Sequence, residues 1–281
     1  MQLPIEKRAL KSIRSVCLAL GPYRNLTTLV GAALALHPNC QVLNHAARIF
    51  TPDVDFLTHY SMASFERFIE VAIRSSGGGQ RGSFGGSITY SHAFDDAYLA
   101  KSIFSKRNYP LIKEDIRSLF WKESHLVTNF IRSKPVHLGP VLKEEPRLRF
   151  LMPIRNPLDC ARSNLKTGHH MLFQSSKASP GVADIAEGIL VLIRWFVGLQ
   201  KQFPDRFFLF FEHSMTRSML IDLARFLDVD ANDVWLEDAS AIMISKSKYQ
   251  HDAELIGQYH KLVDRFLGDS PAICEQLHKF N

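Results

Sequence analysis

The sequence predicts an α/β fold in which helices flank a parallel sheet. Short apolar runs alternate along the chain with longer amphipathic segments, which is the order that a parallel sheet produces. Runs such as residues 207–211 (FFLFF) are continuously apolar, as strands buried on both faces are. The 281 residues, 46% of them hydrophobic and 22% charged, suffice for one large core. This composition excludes the disordered, collagen-like and coiled-coil classes, and we expect residues 1–281 to form a single domain.

The predicted elements follow one another between turn-forming residues. Gly21 and Pro22 end the first strand, and residues 37–39 (HPN) stop the first helix. The best-marked helix has Asn156 as its N-cap, Pro157 at its first position and Gly168 just past its end. The predicted strands are 13–20, 41–44, 119–124, 148–154 and 207–212. The predicted helices are 27–36, 53–73, 157–166, 184–202, 219–227 and 253–267.

A glycine-rich stretch interrupts this pattern at residues 75–87, where six of thirteen residues are glycine. Glycine loses more backbone freedom on ordering than any other residue, so regular structure is costly here. We predict that residues 75–94 form a mobile region. It serves either as a flexible linker or as a substrate loop that orders on binding, with Arg81 as an anion contact.

The charge balance favours an anionic partner. The chain has 34 Lys and Arg against 28 Asp and Glu, a formal charge of +6. This number alone leaves nucleic acid, anionic lipid, a nucleotide and an acidic polysaccharide open. The chain has no basic run, amphipathic anchor or nucleic-acid-binding signature, so we expect neither a nucleic-acid nor a membrane partner.

Several features indicate a reducing compartment. The four cysteines, Cys17, Cys40, Cys160 and Cys274, lack CxxC or CxxxC spacing. The first twenty residues lack the apolar region and cleavage site of a signal peptide. No apolar run approaches the roughly 20 residues of a spanning helix. The expected location is the cytoplasm.

The segment from Gly21 to Leu29 (GPYRNLTTL) has the features of an anion site. It joins the first predicted strand to the first predicted helix, where backbone N–H groups and the helix dipole favour a phosphate. Arg24 can pair with a phosphate or sulfate oxygen, and Thr27 and Thr28 add hydroxyls. The Walker A pattern is not matched, because Leu26 stands at its second glycine and Thr27 at its lysine.

Three blocks of sequence, within residues 24–39, 150–163 and 209–228, carry a shared pattern. Together they resemble the PAPS-dependent sulfotransferases, which use 3′-phosphoadenosine 5′-phosphosulfate as sulfuryl donor. Residues 24–29 (RNLTTL) with 36–39 (LHPN) resemble the family's [KR]-x-G-T-T-L…HP segment. Residues 150–163 (FLMPIRNPLDCARS) resemble its R-[DN]-P-x-D-x-x-x-S motif. Residues 209–214 (LFFEHS) with 223–228 (LARFLD) resemble its Y/F-E-D-L strand and the helix after it. The blocks occur in family order, which makes chance agreement much less plausible than for one motif.

The resemblance implies a P-loop NTPase-like sheet and a set of donor-binding residues. Arg155 and Ser163 would hold the 3′-phosphate of PAPS and of its product PAP. Lys246 and Lys248 either cover the same side or form a solvated loop. Leu26 replaces the family's usual glycine, and its side chain can crowd the 5′-phosphosulfate or disfavour a left-handed backbone. The loop residues implied in donor binding are Arg24, Asn25, Leu26, Thr27, Thr28 and Leu29.

Sulfuryl transfer needs a cradle for the leaving phosphate, positive charge near the bridging oxygen and a base for the acceptor proton. Arg24 is the first candidate for the charge. Lys122 is the second, in a segment that resembles the family's strand-end K-x-x-H. Two histidines are equal candidates for the base. His125 resembles the histidine of one family branch, and His45 stands where the tyrosylprotein and bacterial carbohydrate enzymes carry a glutamate.

The sequence therefore predicts a PAPS-dependent sulfotransferase, closer to the bacterial carbohydrate and tyrosylprotein type. It would sulfate a hydroxyl or amine of a carbohydrate or small metabolite. Two alternatives are a non-catalytic nucleotide-binding protein, in which Leu26 abolishes turnover, and a P-loop kinase, which the missing lysine and Mg²⁺ signature disfavour. No metal is expected, because no His, Cys, Asp and Glu cluster has convincing ligand spacing. The oligomeric state is left open.

Overall fold

The computed structural model describes residues 12–46, 48, 50–80, 85–173, 179–245 and 249–280. These residues form two compact units, each assembled from separate stretches of the chain. Unit 1 is drawn from Met1–Leu20, Thr27–Leu151 and Met215–Ile244. Unit 2 is drawn from Gly21–Leu26, Met152–Ser214 and Ser245–Asn281.

The six described strands belong to one sheet, in the order β3-β2-β4-β1-β5-β6. The pairs β1/β4, β1/β5 and β2/β4 are parallel, and the short β3 is antiparallel to β2. This mostly parallel sheet confirms the predicted α/β class. The strands are β1 Ser15–Ala19, β2 Cys40–Asn44, β3 Gly86–Ser87, β4 Ser118–Lys122, β5 Leu148–Ile154 and β6 Phe207–Phe211.

Helices occupy most of the described chain between the strands. In chain order they are α1 Thr27–Ala35, α2 Met62–Ser76, α3 Leu99–Lys106, α4 Ser124–Ser133, α5 Leu138–Glu144, α6 Pro157–Lys166, α7 Val182–Gln202, α8 Arg217–Phe226, α9 Asp233–Ile242, α10 Ala253–Leu267 and α11 Pro271–His278. None of the helices that the structure describes is both long enough and apolar enough to cross a membrane.

The core of unit 1 lies around the central strands. Every residue of β1, β2 and β4 is buried, including the polar Gln41, Asn44 and Lys122, as expected for a parallel sheet covered on both faces. Helices α1 and α2 pack against β2. The indole N–H of Trp235 in α9 donates to the Ala33 carbonyl of α1 at 2.9 Å, which satisfies a buried polar group and ties the two helices together.

Unit 2 is built around the long helix α7. Helices α6 and α10 both pack against α7, and α11 packs against α10. The buried hydroxyl of Tyr259 in α10 donates to the Leu277 carbonyl of α11 at 2.9 Å. Burial raises the pKa of Tyr259, so this hydroxyl keeps its proton.

Element boundaries differ from the prediction where local hydrogen bonds compete with a helix or strand. The predicted helix 53–73 begins only at Met62, because the Ser61 hydroxyl caps it by accepting the Ser64 N–H. Upstream, the carboxylate of Asp55 accepts two backbone N–H groups and holds a turn. The predicted strand 119–124 ends at Lys122, since Ser124 already belongs to α4.

In the glycine-rich region, the backbone before residue 81 pairs with the backbone after residue 84. Residues 81–84, which include Arg81, lie outside the described residues. Gly79 bridges Gly86, and the Ser87 N–H donates to the Gly78 carbonyl at 2.6 Å. Gly79 and Gly86 have φ of 101° and 130°, and a Cβ on either would collide with backbone of the opposite segment. These glycines therefore permit a close backbone approach, while mobility of residues 75–94 stays a prediction.

Candidate functional site

In unit 1, four polar residues meet where the neighbouring parallel strands β2 and β4 end; we call Asn44, His45, Lys122 and Glu123 the transfer cluster. Asn44 and Lys122 are register partners across the two strands. The Lys122 ammonium donates to Asn44 Oδ1 at 2.9 Å and lies 3.1 Å from His45 Nε2. His45 Nδ1 lies 3.1 Å from Glu123 Oε2. The carboxyl ends of parallel strands are where open α/β sheets bind ligands.

The donor and acceptor types in the transfer cluster determine the tautomer of His45. A lysine ammonium can only donate, so His45 Nε2 accepts from Lys122 through its lone pair. Nδ1 then carries the proton and donates to Glu123, whose side chain is 1% exposed. The imidazole is thus neutral and oriented by a buried carboxylate, with its basic nitrogen towards a cation. This is the arrangement of an oriented general base.

His45 is held by its backbone as well as by its side chain. His45 and Ala46 have φ of 54° and 65°, a left-handed conformation that is uncommon for residues other than glycine. The Trp121 indole N–H donates to the His45 carbonyl. The His45 side chain is nevertheless 39% exposed, so an acceptor can reach it. Backbone strain at an accessible titratable side chain is common in functional sites.

His125, the other candidate base, has a different environment. It lies in the first turn of α4 and is 1% exposed. A group so deeply buried cannot take a proton from an acceptor unless the structure opens. Of the two histidines given equal standing by the sequence, only His45 combines accessibility with a hydrogen bond to Lys122.

Thr27 and Thr28 form the first turn of α1, as expected, and Leu29 follows them. Thr27 is buried, whereas Thr28 and Leu29 are half-buried. Lys122 packs beside the same helix, since a Cβ on Gly31 would lie 3.5 Å from its Cδ. The Lys122 stem therefore lies along α1 at Gly31, about one turn from the helix end that attracts anions.

In unit 2, Arg24 meets Ser163 of α6, and Arg155 stands at the start of the loop that leads into the same helix; we call Arg24, Arg155 and Ser163 the phosphate cluster. Arg24 Nε donates to Ser163 Oγ at 2.8 Å. Arg155, at the end of β5, donates through Nη2 to Asp159 at 3.5 Å and lies 3.9 Å from Glu212. Its Nε is buried and has no hydrogen-bond partner in the described part of the chain. Arg155 therefore keeps an unused donor, which an anion can satisfy.

Two carboxylates offset part of the positive charge of Arg155, and both have further partners. Glu212 accepts from the Asn156 N–H at 3.0 Å and from the Ser245 hydroxyl, as expected for a structural residue at the end of β6. Asp159 accepts from His251 Nε2 at 2.8 Å, and Arg162 donates to His251 Nδ1 at 3.2 Å. Arg155 is thus oriented by two carboxylates at 3.5 and 3.9 Å, each of which also accepts from other donors.

The side chain of Asn25 fixes the loop to the end of β5 by hydrogen bonds. Its Oδ1 accepts from the Arg155 N–H at 2.9 Å, and its Nδ2 donates to the Pro153 carbonyl. Both side-chain groups are thereby engaged, and Asn25 is buried. The structure therefore connects Asn25 to the position of Arg155, although the resemblance implied direct donor binding.

The loop backbone at Leu26 adopts the conformation that its side chain disfavours. Leu26 has φ of 63° and Arg24 has φ of 65°, and Gly21, earlier in the same loop, has φ of 100°. A left-handed residue other than glycine costs roughly 1–2 kcal/mol. The loop thus keeps a glycine-like backbone in spite of Leu26, whose side chain is half-buried. Lys246 and Lys248 lie outside the described residues.

An apolar cavity of about 130 Å³ lies beside the transfer cluster in unit 1. Trp121 lines it and also donates to the His45 carbonyl, which connects the cavity wall to the candidate base. Its volume is close to that of engineered apolar cavities that bind one benzene ring. The lining residues are Phe50, Leu57, Trp121, Leu126, Val127 and Phe130.

Some of these residues were not singled out from the sequence. Glu123 directly follows Lys122, and Asp159 is the acidic position of the R-[DN]-P-x-D-x-x-x-S resemblance, so both had a local signal. His251 had none, because its partner Asp159 is 92 positions away.

No family model matches the chain, and no curated protein matches it significantly. Solved structures similar to it include a sulfotransferase from Alicyclobacillus acidocaldarius, 11% identical, with 94% of this chain and 96% of that chain covered and a TM-score of 0.45. Mouse sulfotransferase SULT7A1 complexed with PAP is 12% identical, with 96% and 88% covered and a TM-score of 0.44. Sulfotransferase STF9 from Mycobacterium avium is 13% identical, with 94% and 79% covered and a TM-score of 0.45. At this level the similarities assign no activity.

Proposed function

We propose that the chain is a sulfotransferase that moves a sulfuryl group from PAPS to an acceptor hydroxyl or amine and releases PAP. One observation carries the proposal: the hydrogen-bonded series Glu123, His45 and Lys122, in which an oriented neutral imidazole adjoins a buried ammonium. In-line transfer needs both groups, a base for the acceptor proton and a cation for the charge that develops on the leaving oxygen.

The residues of the transfer cluster have distinct proposed roles. His45 Nε2 takes the acceptor proton, and Glu123 stabilises the imidazolium that forms, as a buried carboxylate does in acyl transfer. Lys122 gives up its hydrogen bond to Nε2 and turns its charge to the sulfuryl donor. Three rotatable N–H donors allow this change while the bond to Asn44 persists.

The phosphate cluster fits the 3′-phosphate that distinguishes PAPS from other adenosine nucleotides. Arg155 has an unsatisfied buried Nε, and Arg24 and Ser163 present a guanidinium and a hydroxyl that already contact each other. A phosphate accepts charge-assisted hydrogen bonds from such groups. Thr27 and Thr28, at the start of α1, are assigned to the 5′-phosphosulfate.

The apolar cavity supports a small acceptor with an apolar ring rather than a carbohydrate. A sugar would bring several hydroxyl groups against a wall of aromatic and aliphatic side chains, where they would lose hydrogen bonds to water. The acceptor would therefore place a ring in the cavity and its hydroxyl or amine near His45.

Calorimetric titration with PAP, AMP and ATP tests the proposed function. We expect PAP to bind at least tenfold more tightly than AMP, and Mg²⁺ to leave its affinity unchanged. Tight ATP binding that Mg²⁺ strengthens would instead support a kinase. A preference for PAP without sulfuryl transfer from labelled PAPS to any hydroxyl or amine acceptor would support a non-catalytic binding protein.

A further inference from the structure

The C-terminal helices of unit 2 bring three different metal-binding side chains together. Asp264 of α10 and Cys274 and His278 of α11 offer ligand atoms that all lie within 4.8 Å of one another. His278 Nε2 lies 2.8 Å from Asp264 Oδ1, and Cys274 Sγ lies 3.6 Å from the same oxygen. An imidazole nitrogen, a thiol sulfur and a carboxylate oxygen thus meet at one point.

Helical spacing places these side chains on facing surfaces. Cys274 and His278 are four residues apart on α11, so they project from the same face one turn apart. His260 precedes Asp264 by the same interval on α10. Two one-turn pairs on packed antiparallel or crossing helices can supply up to four ligands to one ion, and α10 and α11 do pack together.

His260 gives a second observation at the same place. Its ring packs edge-on against His278 with 4.8 Å between centroids. Its Nε2 is buried and has no hydrogen-bond partner among the residues that the structure describes. A buried imidazole nitrogen without a partner is costly, and coordination to a metal ion would satisfy it.

The distances fit a tetrahedral zinc ion. With Zn–S of about 2.3 Å and Zn–N or Zn–O of about 2.0–2.2 Å, neighbouring ligand atoms lie roughly 3.3–3.7 Å apart. The Cys274 and Asp264 atoms are already 3.6 Å apart. The 2.8 Å between His278 and Asp264 needs only to widen by about half an ångström when their shared proton is replaced by the ion.

We propose that Asp264, Cys274 and His278 form a zinc-class metal site, and that His260, whose nitrogens lie outside this group of atoms within 4.8 Å of one another, turns in as the fourth ligand. A mixed thiolate, imidazole and carboxylate set suits Zn²⁺ better than Mg²⁺ or Ca²⁺, which prefer oxygen ligands alone. Cys274 binds as thiolate and its proton passes to solvent. The ion links α10 to α11 and so stabilises the end of the chain. The site is independent of sulfuryl transfer, and failure of either proposal leaves the other intact.

Cobalt titration of the full chain tests the site, because a cobalt–thiolate bond has a charge-transfer absorption that uncoordinated cobalt lacks. We expect one equivalent of Co²⁺ to produce this band and Zn²⁺ to displace it. Cys274→Ser should abolish the band, and His278→Gln should weaken Zn²⁺ binding at least tenfold. The His278 side chain is 32% exposed and Cys274 is half-buried, so these two substitutions should leave the fold intact by circular dichroism.

Matched variants keep the test decisive. Glu275→Gln, on an exposed neighbour of Cys274 outside the site, should bind Zn²⁺ like the wild type. His260→Ala should weaken Zn²⁺ binding if His260 is the fourth ligand. If the affinity for Zn²⁺ is unchanged, the fourth ligand is a water molecule and that part of the proposal is wrong. A band that persists in Cys274→Ser, or the absence of any band in the wild type, would overturn the site itself.

Discussion

Substitution of His45 by glutamine would separate the chemical step from donor binding. Glutamine is similar in size and can still accept a hydrogen bond from Lys122, but it cannot take a proton from the acceptor. Since the His45 side chain makes its contacts with Lys122 and Glu123 at 3.1 Å each, the replacement should leave both neighbours in place. The donor affinity should therefore stay close to that of the wild type.

The expected loss of rate follows from the role of a positioned base. General-base catalysis contributes about 10²–10⁴ in rate, which corresponds to roughly 3–5 kcal/mol of barrier. We expect kcat to fall by a factor in this range, while calorimetric binding of PAP is unchanged. The fall of the rate at acidic pH should also disappear, because the group that would be protonated is gone.

His125→Gln is the matched control for this experiment. His125 is 1% exposed, so its substitution should lower the free energy of unfolding and leave the shape of the pH–rate profile unaltered. If His45→Gln turned over at the wild-type rate with the wild-type pH dependence, His45 would not be the base. If only His125→Gln lost this rate and pH dependence, His125 would be the general base.

Three further predictions concern donor recognition, loop strain and a buried charge. Arg155→Ala should weaken PAP binding by about 10–100-fold, the equivalent of one or two charge-assisted hydrogen bonds, and leave AMP binding unchanged in calorimetry; equal losses for both nucleotides would contradict 3′-phosphate recognition. Leu26→Gly should relieve about 1–2 kcal/mol of left-handed strain, partly offset by the entropy of glycine, so its free energy of unfolding in urea should match or exceed the wild-type value; a marked loss would show that the leucine side chain stabilises the loop. Lys113 is buried, its Nζ lies 3.7 Å from the Tyr109 ring centroid, and burial lowers its pKa to about 8. Because the native state disfavours the ammonium, Lys113→Met should be more stable than the wild type by up to about 3 kcal/mol at pH 7. This difference should shrink as the pH rises from about 8 towards the unfolded pKa, and a difference independent of pH would refute the assignment.

The parts of the fold that the sequence predicted are those with strong local signals. Asn156, Pro157 and Gly168 mark both ends of α6, and the structure has the helix at Pro157–Lys166 as predicted. The strand at 148–154 also agrees, because seven mostly apolar residues are too few for a typical helix and Asn156-Pro157 marks the start of the next one. The short helices α3, α5 and α11 were missed, since seven or eight residues hold too few turns for a periodic pattern. The ten-residue helices α4 and α9 were missed as well.

The sequence could predict which residues belong to the candidate site, but not their contacts or their burial. The resemblance placed Arg24, Arg155 and Ser163 on the donor, and the structure brings Arg24 and Ser163 into contact. It could not rank His45 against His125, because burial and the hydrogen bond to Lys122 depend on how β2 and β4 pair. Neither could it find the contact of His251 with Asp159, which joins positions far apart in the chain.

The proposed chemistry is tested most directly by a single-turnover experiment with sulfur-labelled PAPS, excess enzyme and a ring-containing alcohol as acceptor. We expect the label to appear on the acceptor oxygen, with one PAP formed for each sulfate transferred and no requirement for Mg²⁺. Bound PAPS that stays intact with every hydroxyl and amine acceptor, in a chain that binds PAP normally, would contradict sulfuryl transfer.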